Sequence, residues 1–147
     1  MRIALDTNVL AYAEGVNGEA MRQRALDLIS RLPRDEVVLP VQVLGELFSV
    51  LTRKAARPRA ATRAAILSWC DAFSVLGTSA AVMLAAMDLA ADHRLFIWDA
   101  VIFACAAESA CRLLLSQDLQ EGFTWRGVTV ADPFLPTPHP LLAGLLR

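Results

Sequence analysis

The chain has 147 residues, with 14 basic against 15 acidic side chains, a net charge of −1 and 56% hydrophobic residues. That length suits one domain whose core can hold the fold without covalent staples. The neutral balance excludes a general attraction for polyanions, so any nucleic-acid contact must come from local clustering.

In chain order, the apolar run at residues 2–5 ends on Asp6 and predicts a first strand, and residues 7–14 continue as the first turns of a helix. Residues 18–32 carry Met21, Ala25, Leu28, Ile29 and Leu32 at helical spacing, the pattern of an amphipathic helix. Pro33-Arg34-Asp35-Glu36 breaks it, a second strand follows at 37–39, and Pro40 suits the first turn of a helix over 41–54. Another helix is expected at 57–73, with Pro58 near its start, then a third strand at 75–76. Ser79 caps an Ala-rich helix that reaches His93, where an imidazole is favourably placed at the C-terminus. Residues 99–110 form a nearly all-apolar helix, expected to be buried, and strands follow at 113–115 and 128–130. Strands alternating with helices predict a parallel sheet of about five strands covered on both faces.

Cys70, Cys105 and Cys111 show no CxxC or Cys/His spacing and lie in or beside apolar helical segments, so all three are expected as buried, reduced thiols. The odd count and the short apolar run before Asp6 place the protein in the cytoplasm. The uncharged stretch 73–87 contains Ser74, Gly77, Thr78 and Ser79 and falls short of a membrane span.

Open α/β sheets collect ligands outside the C-terminal ends of their strands, where strand order reverses. Four carboxylates are expected there. Asp6 follows the first strand, Glu46 lies on the helix after the second, Asp99 opens the buried helix, and Asp118 comes three residues after Leu115. No basic residue adjoins any of them in sequence. Four clustered anions repel unless a cation neutralises them, and all-oxygen ligation favours Mg²⁺ or Mn²⁺ over zinc. Each residue also has a structural reading. Asp6 and Asp99 can cap helices, the latter with Trp98 and Phe103 as a hydrophobic staple. Asp118 can close a turn in Ser116-Gln117-Asp118, and Glu46 can belong to a solvated helix face. The shared location at the strand ends favours the joint reading.

Asp6-Thr7-Asn8-Val9-Leu10, Pro40-Val41-Gln42-Val43-Leu44-Gly45-Glu46-Leu47, Trp98-Asp99-Ala100-Val101-Ile102 and Leu114-Leu115-Ser116-Gln117-Asp118-Leu119 occur in that order. Together they resemble the acidic motifs of the PIN-domain family, and within it the VapC-type toxins of type II toxin–antitoxin pairs. Gln117 stands where relatives commonly carry an acid, but Asp118 is kept. The resemblance covers residues 1–134 and leaves a Pro-rich, then apolar tail at 135–147. It implies a three-layer α/β/α sandwich and a metal-dependent endoribonuclease. Mg²⁺, with Mn²⁺ as a substitute, would be held by Asp6, Glu46, Asp99 and Asp118 and would activate water for in-line attack on an RNA phosphodiester. Asn8 and Ser116 would hydrogen-bond a ligating carboxylate or a metal-bound water. No His or Lys beside the motifs offers itself as a general base.

The same resemblance implies a homodimer and a VapB-type antitoxin, whose Arg is an apt replacement for the metal's charge. Residues 80–91 read as a dimer face or as core. Arg53, Lys54, Arg57, Arg59 and Arg63 place five cations within eleven residues with no acid among them, a candidate RNA-phosphate surface or an ordinary solvated one. The tail can dock on its own domain, a second subunit or the antitoxin. A response-regulator receiver would need a late Lys, and none follows Lys54; a haloacid-dehalogenase-type phosphatase would need a second Asp, which Asp6-Thr7-Asn8 lacks. The remaining alternative is a catalytically inactive PIN-like module that binds RNA or protein.

Overall fold

A computed structural model describes residues 1–146. The elements are β1 (Arg2–Leu5), α1 (Thr7–Ala13), α2 (Glu19–Arg31), a 3-10 turn (Arg34–Glu36), β2 (Val37–Pro40), α3 (Val41–Arg53), α4 (Arg59–Ala72), β3 (Ser74–Leu76), α5 (Ala80–His93), α6 (Ile97–Glu108), β4 (Cys111–Leu115), β5 (Thr124–Trp125), β6 (Val128–Ala131) and α7 (Pro140–Ala143). Strand order is β3-β2-β1-β4-β6-β5. All neighbours are parallel except β5, which pairs antiparallel with β6.

The five expected strands are present. The sixth, Thr124–Trp125, corrects the purely parallel sheet and is too short to announce itself. It folds back through Arg126 (φ 47) and Gly127 (φ 83), a two-residue connection with both φ values positive, as a type I′ hairpin turn requires. Successive residues of a strand face opposite sides of the sheet. All of β2, and Ile3–Leu5 of β1, are buried, so helices cover both faces.

The deepest helix is α6, with every residue from Ala100 to Ala106 buried. It packs against α5, β4, α3, β2 and β6. Its N-cap is Phe96 rather than Asp99. Asp99 is therefore the third residue of the helix, within its first turn, which removes the staple reading: Phe103 is fully buried while Trp98 is 44% exposed. On α5 the Ala-rich segment divides by face. Val82, Ala85, Ala86 and Leu89 enter the core, while Leu84 and Met87 point outward.

Cys105 and Cys111 are buried, with both thiols pushed up to about 11 by desolvation. Cys70 is only half-buried, a correction that follows from its place on α4, which has Thr62 as its sole buried residue. The tail docks on its own domain. Leu142 on α7 is fully buried in the single core cluster, and Leu141, Leu145 and Leu146 pack against that cluster. His139 caps this last helix, its Nδ1 accepting from the Leu141 amide. His93 ends α5 and meets the Phe123 ring edge-on. No helix among the described residues is long and apolar enough to cross a membrane.

Candidate active site

β1 leads to β2 on one side of the sheet, whereas β4 lies on the other, so strand order reverses between β1 and β4. Leu5 and Leu115 are register partners. The residues that follow them, Asp6 and Ser116, therefore leave the sheet side by side at its C-terminal edge. The ladder continues past both strands, through Asp6 N to Leu115 O at 2.9 Å and Ser116 N to Ala131 O at 3.1 Å.

Asp6 is the N-cap of α1, its Oδ1 accepting from the Thr7 amide at 2.7 Å. Its Oδ2 accepts from the Ser116 hydroxyl at 2.7 Å and from Asn8 Nδ2 at 3.4 Å. The capping role and the site role are thus held by different oxygens of one carboxylate. Ser116 is fully buried, and its oxygen accepts from the amides of Asp118 and Leu119 at 3.2 and 3.3 Å. Asn8 Nδ2 also lies 3.3 Å from both Ser116 Oγ and Asp118 Oδ2, and Asn8 Oδ1 accepts from Gln117 N at 3.1 Å. One NH₂ shared among three long contacts binds each weakly, but it ties Asp118 to Asp6.

Glu46 reaches the same place from α3. Its Oε1 accepts from the Thr7 hydroxyl at 3.3 Å and its Oε2 from Gln42 Nε2, one turn earlier, at 3.2 Å. Asp99 arrives half-buried from the first turn of α6. Burial and neighbouring carboxylates raise Asp6, Glu46 and Asp99. Burial, then repulsion from Asp99 and Glu46, raises Asp6 to about 6 despite the lowering hydrogen bonds from Ser116 and Thr7. Burial, then Asp99 and Asp118, raises Glu46, and burial followed by Asp118 raises Asp99.

None of the four joins an ion pair among the described residues. Nor do they close into a ready-made cage: among the described residues no three His, Cys, Asp or Glu side chains are grouped tightly enough to hold a metal ion. An all-oxygen, uncompensated anionic cluster of this openness fits a hard divalent cation that keeps several waters and takes only one or two carboxylates directly.

The basic stretch after α3 divides. Lys54 lines the cleft beside Glu46 and Asp118. Arg57 is committed elsewhere, which corrects its assignment to a phosphate surface. Its guanidinium bonds the Glu14 carboxylate at 2.6 Å and the Glu14 carbonyl at 2.9 Å, while Trp69 Nε1 donates to the other carboxylate oxygen at 3.0 Å. Arg59 lies over the Phe48 ring, 6.0 Å from its centroid, and with Arg63 lines a separate depression. Arg53 is exposed. Sequence reasoning missed Thr7, Gln42 and Tyr12. Gln42 was signalled by its i,i+4 spacing to Glu46; nothing local pointed to Tyr12, which donates across 105 residues to Gln117 Oε1.

Residues 3–121 match the PIN domain family profile. No curated protein matches the sequence. Among solved structures, the chain is similar to VapC20 of Mycobacterium tuberculosis, a sarcin-ricin-loop-cleaving toxin, at 24% identity and TM-score 0.66 over 79% of this chain and 91% of that one. It is similar to a toxin–antitoxin complex from Klebsiella pneumoniae at 18% identity and TM-score 0.67, over 90% and 98% of the two chains. It is also similar to VapBC2 from Rickettsia felis bound to a promoter DNA fragment, at 15% identity and TM-score 0.65, over 88% and 97%. At these identities the likeness concerns the fold.

Proposed function

The chain belongs to the PIN domain family, and from that premise we propose that it is a Mg²⁺-dependent endoribonuclease, the toxin of a toxin–antitoxin pair. The observation that carries this reading is the meeting of Asp6, Glu46, Asp99 and Asp118 at the point where the sheet reverses its strand order, with no cation among the described residues in an ion pair with any of them.

Asp6, Glu46, Asp99 and Asp118 are the residues that would hold the cation. Bound there, Mg²⁺ or Mn²⁺ would supply Lewis acidity toward a phosphodiester and lower the pKa of water. The chain's own contribution is orientation. Ser116 and the Thr7 amide hold the two Asp6 oxygens in fixed directions, and Thr7 and Gln42 do the same for Glu46. Carboxylates aimed in advance need no reorganisation when charge develops. Asn8 restrains Asp118, the most exposed of the four acids, against the buried Asp6–Ser116 pair. RNA as substrate is supported by the fold shared with a sarcin-ricin-loop-cleaving toxin. An antitoxin partner is supported by relatives solved as toxin–antitoxin complexes. The outward Leu84 and Met87 on α5 suit a contact with a second copy.

The test is cleavage of structured RNA by the purified protein with Mg²⁺, Mn²⁺ or EDTA. Cleavage should require the divalent ion and should fall at least about 100-fold in Asp6→Asn and in Asp99→Asn, beyond the 10–100-fold typical of groups that only support a ligand. Cleavage that survives EDTA and both substitutions would overturn the metal mechanism. RNA binding without any cleavage would mark a binding module instead.

A further inference from the structure

The buried stripe of α3 is Val43, Leu47 and Leu51. At about 100° per residue, Glu46 lies on one flank of that stripe and Phe48 on the other, both half-buried. On the Phe48 side, the first turns of α4 contribute Arg59, Ala60 and Arg63, and the four residues line a depression of about 210 Å³. The Arg59 guanidinium lies over the Phe48 ring, 6.0 Å from its centroid. Neither arginine joins an ion pair among the described residues, and the first turn of α4 holds no acidic residue. This arrangement opposes two local preferences. Arg59 and Arg63 are like charges at i,i+4, which repel on a helix surface. Arg59 is also the first residue of α4, where the helix dipole disfavours a cation. One bound anion relieves both conflicts. Local choices that cost stability without a return in the fold mark functional surfaces.

Resting on the reading above, we propose that the Phe48–Arg59–Arg63 depression is an exosite that holds a backbone phosphate of the RNA a few nucleotides from the cut. The planar guanidinium fork suits bidentate contact with a phosphate. Position favours RNA as the source of that phosphate. The depression and Glu46 flank one helix, so about one helix diameter, roughly 10–12 Å, separates them. The ridge between them is the face of α3 opposite Leu47, and helical spacing puts Gly45 and Ser49 nearest its crest. Gly45 is exposed, and a Cβ added there would meet nothing within 4 Å. The packing of the domain therefore does not call for a glycine, which weakens a helix interior. Its effect is a low ridge, over which a strand passes from the acids to the arginines. A net charge of −1 supplies no general field for a polyanion, so a local pair of cations has to hold the strand. Backbone contacts carry no sequence information. The exosite thus adds affinity and sets the length of RNA engaged, and the chemistry stays with the acids.

The experiment compares the wild type with the double variant Arg59→Gln, Arg63→Gln on a cleaved RNA and on versions shortened stepwise from either end, read by KM and kcat. A second readout is the anisotropy of the same labelled RNAs on Asp99→Asn protein in Mg²⁺, with and without the two Gln substitutions, which reports affinity whether or not cleavage occurs. At about 0.7 per phosphate contact, loss of both arginines should flatten the log–log salt dependence by up to about 1.4 and raise KM and Kd about 5–25-fold in 0.1 M salt. The kcat should stay unchanged. Below a certain RNA length the wild type should lose the same factor, and the two proteins should then agree. Arg112→Gln, an exposed change at the start of β4, should leave both constants unaltered, which separates a local site from lost net charge. RNA binding that depends on the arginine pair without any cleavage would keep the exosite and sink the nuclease. Cleavage with equal KM and Kd in both proteins at every RNA length would sink the exosite and keep the nuclease. A loss in kcat at every length would place the arginines in the chemistry and overturn the proposal. So would unaltered RNA constants together with weakened binding of a protein inhibitor, since the depression would then belong to that partner. Should the double variant misfold by circular dichroism, an uncharged methylphosphonate placed at each position in turn still decides on unaltered arginines. One position away from the cut should raise Kd about fivefold, and none doing so would end the proposal.

Discussion

Asp6 combines nearly complete burial with the neighbourhood of two other carboxylates. Its carboxyl titrates at about 6 against 3.8 in an unfolded chain. The folded state therefore binds this proton more tightly than the unfolded state does. The stability linked to Asp6 is fully present below about pH 4 and is lost as pH rises to about 6, by about 3 kcal/mol. Urea unfolding in EDTA between pH 4 and 7.5 should show that decline, and Asp6→Asn should remove most of it. Mg²⁺ added above pH 6 should raise the melting temperature of the wild type and not of Asp6→Asn, since a ligand stabilises only the state that binds it. Ser116 is the other buried anchor. Ser116→Ala removes the donor to Asp6 and leaves the amides of Asp118 and Leu119 without their acceptor. Destabilisation of about 1–3 kcal/mol is expected from the urea midpoint. The lost hydrogen bond also moves the Asp6 pKa further up, so the acid limb of the activity profile should shift to higher pH.

At the scale of elements, the cleft is shaped by how α3 and α4 are pinned to α1. The Glu14 carboxylate, held by Arg57 and Trp69, ties the end of α1 to the start and the last turns of α4 across 43 and 55 residues. Removing one partner of such a half-buried pair should be felt beyond the pair. Arg57→Ala is expected to lower the urea midpoint by about 1–3 kcal/mol and to weaken RNA binding through the displaced Lys54. A change in stability with unaltered RNA affinity would show that the clamp has no part in shaping the cleft. Helix starts that depend on local chemistry were legible. Ser79 caps α5 by accepting from the Val82 amide, and Pro40 and Pro58 precede α3 and α4. The start of α6 was not, because the apolar Ile97 and Trp98 extend the helix ahead of Asp99 without any polar cap to mark it. Arg57 was misread for a related reason: its partner lies on another helix, and a run of like charges conceals that one member is neutralised from afar.

For the molecule as a whole, the near-zero net charge leaves RNA binding to a few side chains. Arg53, Lys54, Arg59 and Arg63 remain outside the ion pairs of the described residues, whereas Arg57 is consumed. At about 0.7 per phosphate contact on single strands, the log–log salt dependence of RNA affinity should be no steeper than about 3. A steeper slope would require a basic surface beyond these residues. The docked tail carries its own prediction: Leu142 is fully buried in the core cluster, so Leu142→Ala should cost about 2–5 kcal/mol. The sequence by itself determined the alternation of strands and helices, the Ser79 cap of α5 and the order of the four acidic motifs, because each depends on neighbours within a few residues. Only the tertiary structure decided that Asp6 and Ser116 are adjacent, that Asn8 bridges to Asp118, that Arg57 is unavailable and that Tyr12 stands beside the acids. Those contacts span tens of residues and depend on strand register and helix packing, which no local pattern encodes.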